Sequence, residues 1–277
     1  MGATGAGKST FIANATGQDV KIGPGLGSCM ILKPIRRRNN TNRLTGAEEP
    51  EIFKGQINGK KVYFIDTPGF DDSGDLDDAD ILEMIAKYLH EFSTDNVQLT
   101  AILFLHKITD NRFTGSSKRL QRVFSQVCGH DSFKSVVLGT TMWDELGNES
   151  TGSQRETELM TRGFWGKMIQ DGTDCCRLKN SKSSATQLAQ ILTGKPRTTL
   201  QLQTELQQYD GRVVRTSAGK ELDRIYNERI SRQIQRAALD EYEGEELKRL
   251  RAAQWRLQQT NVSSKIVSQL KDFTYIL

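Results

Sequence analysis

No run of apolar residues in this 277-residue chain approaches the ~18 that a membrane-spanning helix needs, so no segment reads as a transmembrane span. Nor is there a secretory signal to read, because the first residues already form a glycine-rich loop. The N-myristoylation pattern fails as well: Ala6 stands where Ser or Thr is wanted. The four cysteines, Cys29, Cys128, Cys175 and Cys176, include no C-x-x-C spacing and read as reduced, packing thiols of a cytoplasmic protein. His90, His106 and His130 are scattered along the chain, which leaves them as structural histidines. A dominant sign of charge is also lacking. With 38 basic residues against 34 acidic, a net +4 is too even to mark a nucleic-acid binder. No repeat-protein period is visible. Hydrophobic content of 36% and charged content of 26% suit a globular chain with a polar, helix-rich part.

What the chain does have is Gly2-Ala3-Thr4-Gly5-Ala6-Gly7-Lys8-Ser9-Thr10, a complete G-x-x-x-x-G-K-S/T loop. Its glycines let backbone N–H groups turn inward around phosphate oxygens. Lys8 can reach the β- and γ-phosphates, and the Ser9 hydroxyl can ligate Mg2+. Thr10 to Ala15 can form a helix whose positive N-terminus faces the anion. Such loops follow a buried strand, and here only Met1 precedes this one. The expectation is an upstream start, with about five to eight β-branched or aliphatic residues supplying that strand. Without it, Val62–Ile65 and Ala101–Leu105 lack a common neighbour, their backbone groups face a gap, and residues 1–277 alone are expected to be poorly stable.

Residues 1–195 alternate strand and helix patterns. Glu51–Ile57 and Lys61–Asp66 flank Asn58-Gly59, a hairpin-turn dipeptide. Asp77–Phe92 reads as a helix with Ile81, Met84, Ile85, Tyr88 and Leu89 on one face, and Ser116–Val127 as another with Leu120, Val123, Phe124 and Val127 on one side. Ala101–Leu105 and Ser135–Thr141 are buried-strand runs. One helix is expected over Glu156–Gln170, a strand over Cys175–Leu178 and a helix over Ala185–Leu192. The pattern implies an α/β fold with a mostly parallel sheet covered by helices and one antiparallel edge strand. After Lys195-Pro196 the composition shifts. Residues 196–277 read as an α-helical extension with no strand pattern, and Gly211, Gly219 and Gly244 are natural breaks. Leu200, Leu206, Leu222, Ile225, Ile230, Ile234, Leu247, Leu250, Leu257, Ile266 and Leu270 recur at loosely helical spacings. Their heptad phase slips, so a coiled coil and a helical hairpin folded back on the first domain both remain open. These helices are also candidates to engage a protein partner.

Two further motifs carry chemistry. Asp66-Thr67-Pro68-Gly69 ends the strand-type run Val62-Tyr63-Phe64-Ile65. An Asp at a strand's C-terminal tip sits in the crevice where open α/β sheets bind ligands. It can hold Mg2+ through water there, and the Gly69 N–H can sense a γ-phosphate. A plain turn is the alternative use of the same residues. Thr140-Thr141-Met142-Trp143-Asp144 ends the next apolar strand. Asp144 can accept two hydrogen bonds from guanine N1–H and its exocyclic amine, donors that adenine lacks. A helix cap or turn aspartate is the alternative. Arg36-Arg37-Arg38, with Lys33 and Arg43, reads as a solvated basic loop. Asp71, Asp72, Asp75, Asp77, Asp78 and Asp80 do not follow the Ca2+-loop pattern and suit a helix N-terminus.

In this order, the three motifs resemble those of P-loop GTPases. The phosphate loop, D-T-P-G and the T-T-x-W-D tail look most like the septin, Toc and immunity-associated GTPase branch and its fungal G-domain proteins, over about residues 1–195. The resemblance implies a P-loop NTPase G domain in which Gly2 to Thr10 bind nucleotide, Asp66 and Gly69 are switch residues and Asp144 reads guanine. Against the usual N-K-x-D, Thr141 replaces Asn and Met142 replaces Lys. The Met142 side chain can still cover a base face, but the lysine's tie to the phosphate loop is expected to be lost. Met30 stands where a switch Thr would ligate Mg2+, with Ser28 or Thr41 as substitutes. Phe70 follows D-T-P-G where a Gln would orient water. A last loop touching the base is expected near Asn180–Ala185. The reading is a guanine-nucleotide-binding protein using GTP or GDP with Mg2+. It would hold nucleotide through Gly2, Ala3, Thr4, Gly5, Ala6, Gly7, Lys8, Ser9, Thr10, Gly69, Thr141 and Asp144, and metal through Ser9 and Asp66. No catalytic residue can be named. A slow GTPase switch is the first reading. A nucleotide-dependent scaffold without hydrolysis and an ATP-using P-loop enzyme are the alternatives. Relatives without the Gln often dimerise across the nucleotide face, which implies a homodimer as partner.

Overall fold

Val136, Val137 and Leu138 are all fully buried, as a strand covered on both faces requires. They open β4 (Val136–Thr141), which pairs in parallel with β3 (Ile102–Lys107) on one side and β5 (Asp174–Arg177) on the other. The computed structural model describes residues 1–18, 20, 51–70, 77–94, 98–110, 115–161, 163–240, 244–262 and 274–277. β1 (Glu51–Ile57) and β2 (Lys60–Asp66) form the expected antiparallel hairpin. Asn58 and Gly59 both take positive φ, 50° and 77°, which suits the twist of a two-residue turn.

The position between β2 and β3 is the one the sequence appeared to leave without a strand, and two separate segments fill it. β6 (Thr274–Ile276) pairs in parallel with β2, Thr274 opposite Val62 and Ile276 opposite Phe64. On its other side Ile276 bridges Ala101, and the Leu103 N–H donates to the Leu277 carbonyl at 2.7 Å. Further along the same line the Leu105 N–H donates to the Met1 carbonyl at 3.0 Å, Gly2 bridges Leu105 and Ala3 bridges Phe70. The strand order is therefore β1-β2-β6-β3-β4-β5, with only β1 antiparallel. Two expectations are corrected here. Residues 196–277 do contain a strand, and the backbone groups of Val62–Ile65 and Ala101–Leu105 do not face a gap. A strand of three residues is too short to leave a periodic signal.

Helices cover both faces. α1 (Lys8–Thr16) follows the glycine-rich loop. α2 (Asp78–Thr94) and α3 (Gly115–Cys128) bury the apolar stripes read from sequence, Ile81, Met84, Ile85 and Leu89 on one and Leu120, Val123, Phe124 and Val127 on the other. Asp77 caps α2, its Oδ1 accepting from the N–H groups of Ala79 and Asp80. The single helix expected over Glu156–Gln170 is instead two, α4 (Glu149–Thr161) and α5 (Gly163–Gln170). Asn148 accepts from the Ser150 N–H at 2.9 Å and starts α4 early. Glycine at 163 is a poor helix former, and Gly166 lets α5 approach α4 closely: a Cβ there would lie 3.0 Å from the Thr161 carbonyl carbon. α6 (Lys182–Thr193) begins where Ser181 accepts from the Ser184 N–H.

α7 (Gln201–Gln208), α8 (Ser217–Asp240) and α9 (Glu245–Gln259) pack back on α2 and α3. Leu206, Leu222, Ile225, Leu250 and Leu257 share one buried cluster with Ile81, Ile85 and Phe124. This is the folded-back arrangement of the two left open. Gly211 and Gly244 lie at breaks as expected, but Gly219 sits inside α8, where a Cβ would come 2.0 Å from the Val213 carbonyl oxygen. Ile266 and Leu270 lie outside the described residues. Burial pushes the Cys175 and Cys176 thiols up to about 11 and about 12 and raises that of Cys128 further, which fits packing rather than thiolate chemistry.

Candidate nucleotide-binding site

The glycine-rich loop leaves the sheet at the C-terminal edge of its central position and enters α1. Gly5 and Gly7 hold left-handed φ of 74° and 86°. Gly2 passes so close to β3 that a Cβ would lie 2.4 Å from the Leu105 carbonyl oxygen, so only glycine fits. Lys8 lies back over the loop, its Nζ donating to the carbonyls of Ala3 at 3.0 Å and Gly2 at 3.4 Å. Ser9, in the first turn of α1, donates from Oγ to Oδ2 of Asp66 at 2.6 Å. Asp66 is buried at the tip of β2, as the strand-end argument requires.

The residues after Asp66 lie against the same loop. Thr4 N–H donates to the Phe70 carbonyl and Phe70 N–H to the Gly2 carbonyl, both at 3.3 Å. At Gly69 a Cβ would meet the Thr4 nitrogen at 2.4 Å. The Phe70 ring is buried in the core, so no polar side chain stands at the position after Gly69. The Thr4 and Thr67 hydroxyls are buried and have no hydrogen-bond partner among the described residues. Orphaned hydroxyls, a hydroxyl–carboxylate pair of hard oxygen donors and left-handed glycines at a helix N-terminus together fit a phosphate chain with Mg2+.

The second half of the site stands on β4 and β5. Thr141 Oγ1 donates to the Ala6 carbonyl at 3.1 Å and lies 3.3 Å from the His106 carbonyl. Met142 takes a left-handed φ of 60°, and its methyl carbon would lie 3.8 Å from a Cβ on Gly7, so it runs beside the loop. A short 3-10 turn, Trp143–Glu145, then presents Asp144 to solvent, where its Oδ2 accepts from the Asn180 N–H at 3.3 Å. Asn180 in turn accepts from Asn14 Nδ2 of α1 at 3.1 Å. These groups enclose a cavity of about 270 Å3 lined by Thr10, Asn14, Met142, Asp144 and Asn180 among others.

The structure thus brings together Gly2 to Thr10, Asp66, Gly69, Thr141 and Asp144, and puts the beginning of the expected last loop at the cavity. Asn14, Glu156 and Arg177 were missed. Asn14 follows the loop at helical spacing, a usable signal, whereas the other two acquire meaning only from the tertiary fold. Ser28, Met30, Thr41, the basic run at Arg36–Arg38 and Asp71, Asp72 and Asp75 lie outside the described residues. No helix among the described residues is long and apolar enough to cross a membrane.

Known proteins agree with this architecture. Toc33 from Arabidopsis thaliana, as a dimerization-deficient mutant, superposes with a TM-score of 0.50 at 17% identity, covering 74% of this chain and 82% of that one. A structure of the chloroplast translocon components atToc33 and psToc159, for which dimerization is described as important for GTPase activity, gives 0.51 at 18% identity over 70% and 79%. This chain has the fold of a P-loop GTPase G domain. GTP-binding protein A of Dictyostelium discoideum is 27% identical over 142 residues, 51% of this chain, and the match spans about a quarter (26%) of that relative's length. No protein-family model matches the chain.

Proposed function

We propose that this protein binds GTP and GDP with Mg2+ and acts as a slow GTPase switch. The observation that carries the reading is the continuity of two half-sites. The Thr141–Ala6 bond joins the cavity at Asp144 to the loop that carries Lys8, Ser9 and, through Ser9, Asp66. Backbone N–H groups of the glycine-rich loop and the Lys8 ammonium would hold the phosphates. Ser9 and Asp66 would hold Mg2+, which supplies neutralisation of the β- and γ-phosphate charge when bound. Gly69 would sense the terminal phosphate, and Asp144 would accept from guanine N1–H and its amine. The T-T-x-W-D tail supports a place in the septin, Toc and immunity-associated branch. Residues 1–195 together with the strand Thr274–Ile276 would form the nucleotide-binding unit, and the outward faces of the helices between residues 201 and 259 would be available to a protein partner, in the cytoplasm.

Titration calorimetry with GDP and ADP tests the reading. Preference for GDP, weakened by Asp144→Asn by roughly 1–3 kcal/mol through unpaired hydrogen-bonding groups, is expected. Equal affinity of the unmodified protein for ADP and GDP would defeat it. Burial of the Phe70 ring favours low turnover and keeps a second reading open, a nucleotide-dependent scaffold without hydrolysis. Dimerisation across the nucleotide face would supply what Phe70 does not, so turnover per protein should rise with protein concentration. No turnover at any concentration would select the scaffold.

A further inference from the structure

The cavity at Asp144 is built from two loops that leave different strands, and one buried side chain outside it ties both together. Glu156 of α4 is 7% exposed. Its Oε1 accepts from Thr140 Oγ1 at 3.2 Å, and its Oε2 from Arg177 Nε at 2.8 Å. The Arg177 guanidinium then lies over the Trp143 ring at 4.1 Å, and Trp143 Nε1 donates to Thr140 Oγ1 at 3.0 Å. The carboxylate therefore engages the end of β4 through Thr140, the turn bearing Asp144 through Trp143, and the end of β5 through Arg177. Arg177 leads directly into the loop that carries Asn180. Neither Glu156 nor Arg177 lines the cavity.

Burying a carboxylate costs free energy unless charged and neutral donors satisfy it, and here both kinds do. A hydrophobic residue of like volume would pack the site as well. It would remove the carboxylate that holds the guanidinium over Trp143, and the ends of β4 and β5 would keep the 2.8 Å bond from the Leu178 N–H to the Thr140 carbonyl and the 3.3 Å bond from the Asn180 N–H to Asp144 without that brace. A pair of hydrogen bonds to a base edge tolerates little error in position, whereas the phosphate site is built on the glycine-rich loop with Ser9, Asp66 and Thr141, none of which touches Glu156.

The geometry points to Glu156 as a positioning residue that sets base selectivity through Arg177 and Trp143, an inference that rests on the guanine-nucleotide reading. The test compares the unmodified chain with Glu156→Gln, Glu156→Ala and Arg177→Lys, measuring dissociation constants for GDP, IDP and ADP together with thermal unfolding. IDP lacks the exocyclic amine and reports one hydrogen bond of the pair. In Glu156→Ala, GDP binding should weaken about tenfold, the order of one lost charge-assisted hydrogen bond, while ADP binding stays the same. The GDP-to-IDP ratio should fall toward one. Glu156→Gln, which keeps an acceptor for Thr140, should fall between, and Arg177→Lys, which cannot lie flat on the ring, should follow Glu156→Ala. Unchanged selectivity in all folded variants would overturn the inference while leaving the nucleotide reading intact. Equal loss for GDP and ADP with a lowered melting temperature would reduce Glu156 to a structural role and also overturn it. If the unmodified chain does not prefer GDP to ADP, both readings fall. Should Glu156→Ala not fold, Glu156→Gln and Arg177→Lys decide by the same ratios.

Discussion

Thr141 Oγ1 donates a 3.1 Å hydrogen bond to the carbonyl of Ala6, so the last residue of β4 grips the phosphate loop from behind. The N-K-x-D pattern would make the tie between base and phosphate sites with its lysine, and its loss was expected with Met142 in that place. The tie exists here in another form, one residue earlier and through a hydroxyl. Both groups are buried, which protects the bond from competition by water.

Thr141→Val keeps shape and strand preference but leaves the Ala6 carbonyl without this donor. The expected result is nucleotide affinity about fivefold lower, the order of one neutral hydrogen bond, with little change in fold. Calorimetric titration with GDP measures it. An affinity equal to that of the unmodified chain would show that the bond does not bear on the loop.

Lys8→Ala removes the side chain that covers the loop, and Ser9→Ala removes the hydroxyl bonded to Asp66. Nucleotide binding should be abolished or strongly weakened in both, with circular dichroism unchanged. The two should differ in one respect. Residual binding to Ser9→Ala should lose its dependence on Mg2+, whereas that of Lys8→Ala should keep it.

Ile276 and Leu277 are buried between β2 and β3. Deleting residues 274–277 would strip partners from both neighbouring strands and open an apolar slot, at a cost on the order of several kcal/mol. The melting temperature should fall by about 10 °C or more. Ile276→Ala should lie between the deletion and the full chain. An unchanged melting curve on deletion would mean that another segment takes the position.

His106 is buried at the end of β3, and burial holds its pKa below the ordinary value of about 6.5. The unfolded chain therefore binds the proton more readily. The contribution of the neutral ring to stability is complete above about pH 6.5 and is lost as the pH falls toward the lower folded value. Thermal unfolding between pH 7.5 and 5 should show a declining melting temperature, and His106→Gln should flatten that decline. A profile of the same slope in both proteins would assign the acid sensitivity elsewhere.

The sequence made much of this molecule legible because its signals are local. The eight-residue loop, the Asn58-Gly59 turn and the stripes on α2 and α3 depend on near neighbours, and each lies where the pattern put it. What depends on distant partners was not legible. Thr274–Ile276 becomes a strand only because β2 and β3 leave room for it. Glu156 reads as an ordinary helix residue until Arg177 and Thr140 arrive from two strands. The split of α4 from α5 turns on the close approach that Gly166 permits.

The strand that backs the phosphate loop has a consequence for the order of events during synthesis. Residues 274–277 leave the ribosome more than 250 residues after the loop they support. Until then, β2 and β3 present open edges toward each other, and the loop has no completed sheet beneath it. A nascent chain should therefore acquire nucleotide affinity late and abruptly, only once residues 274–277 have emerged, and depend on chaperones to shield those edges while it waits.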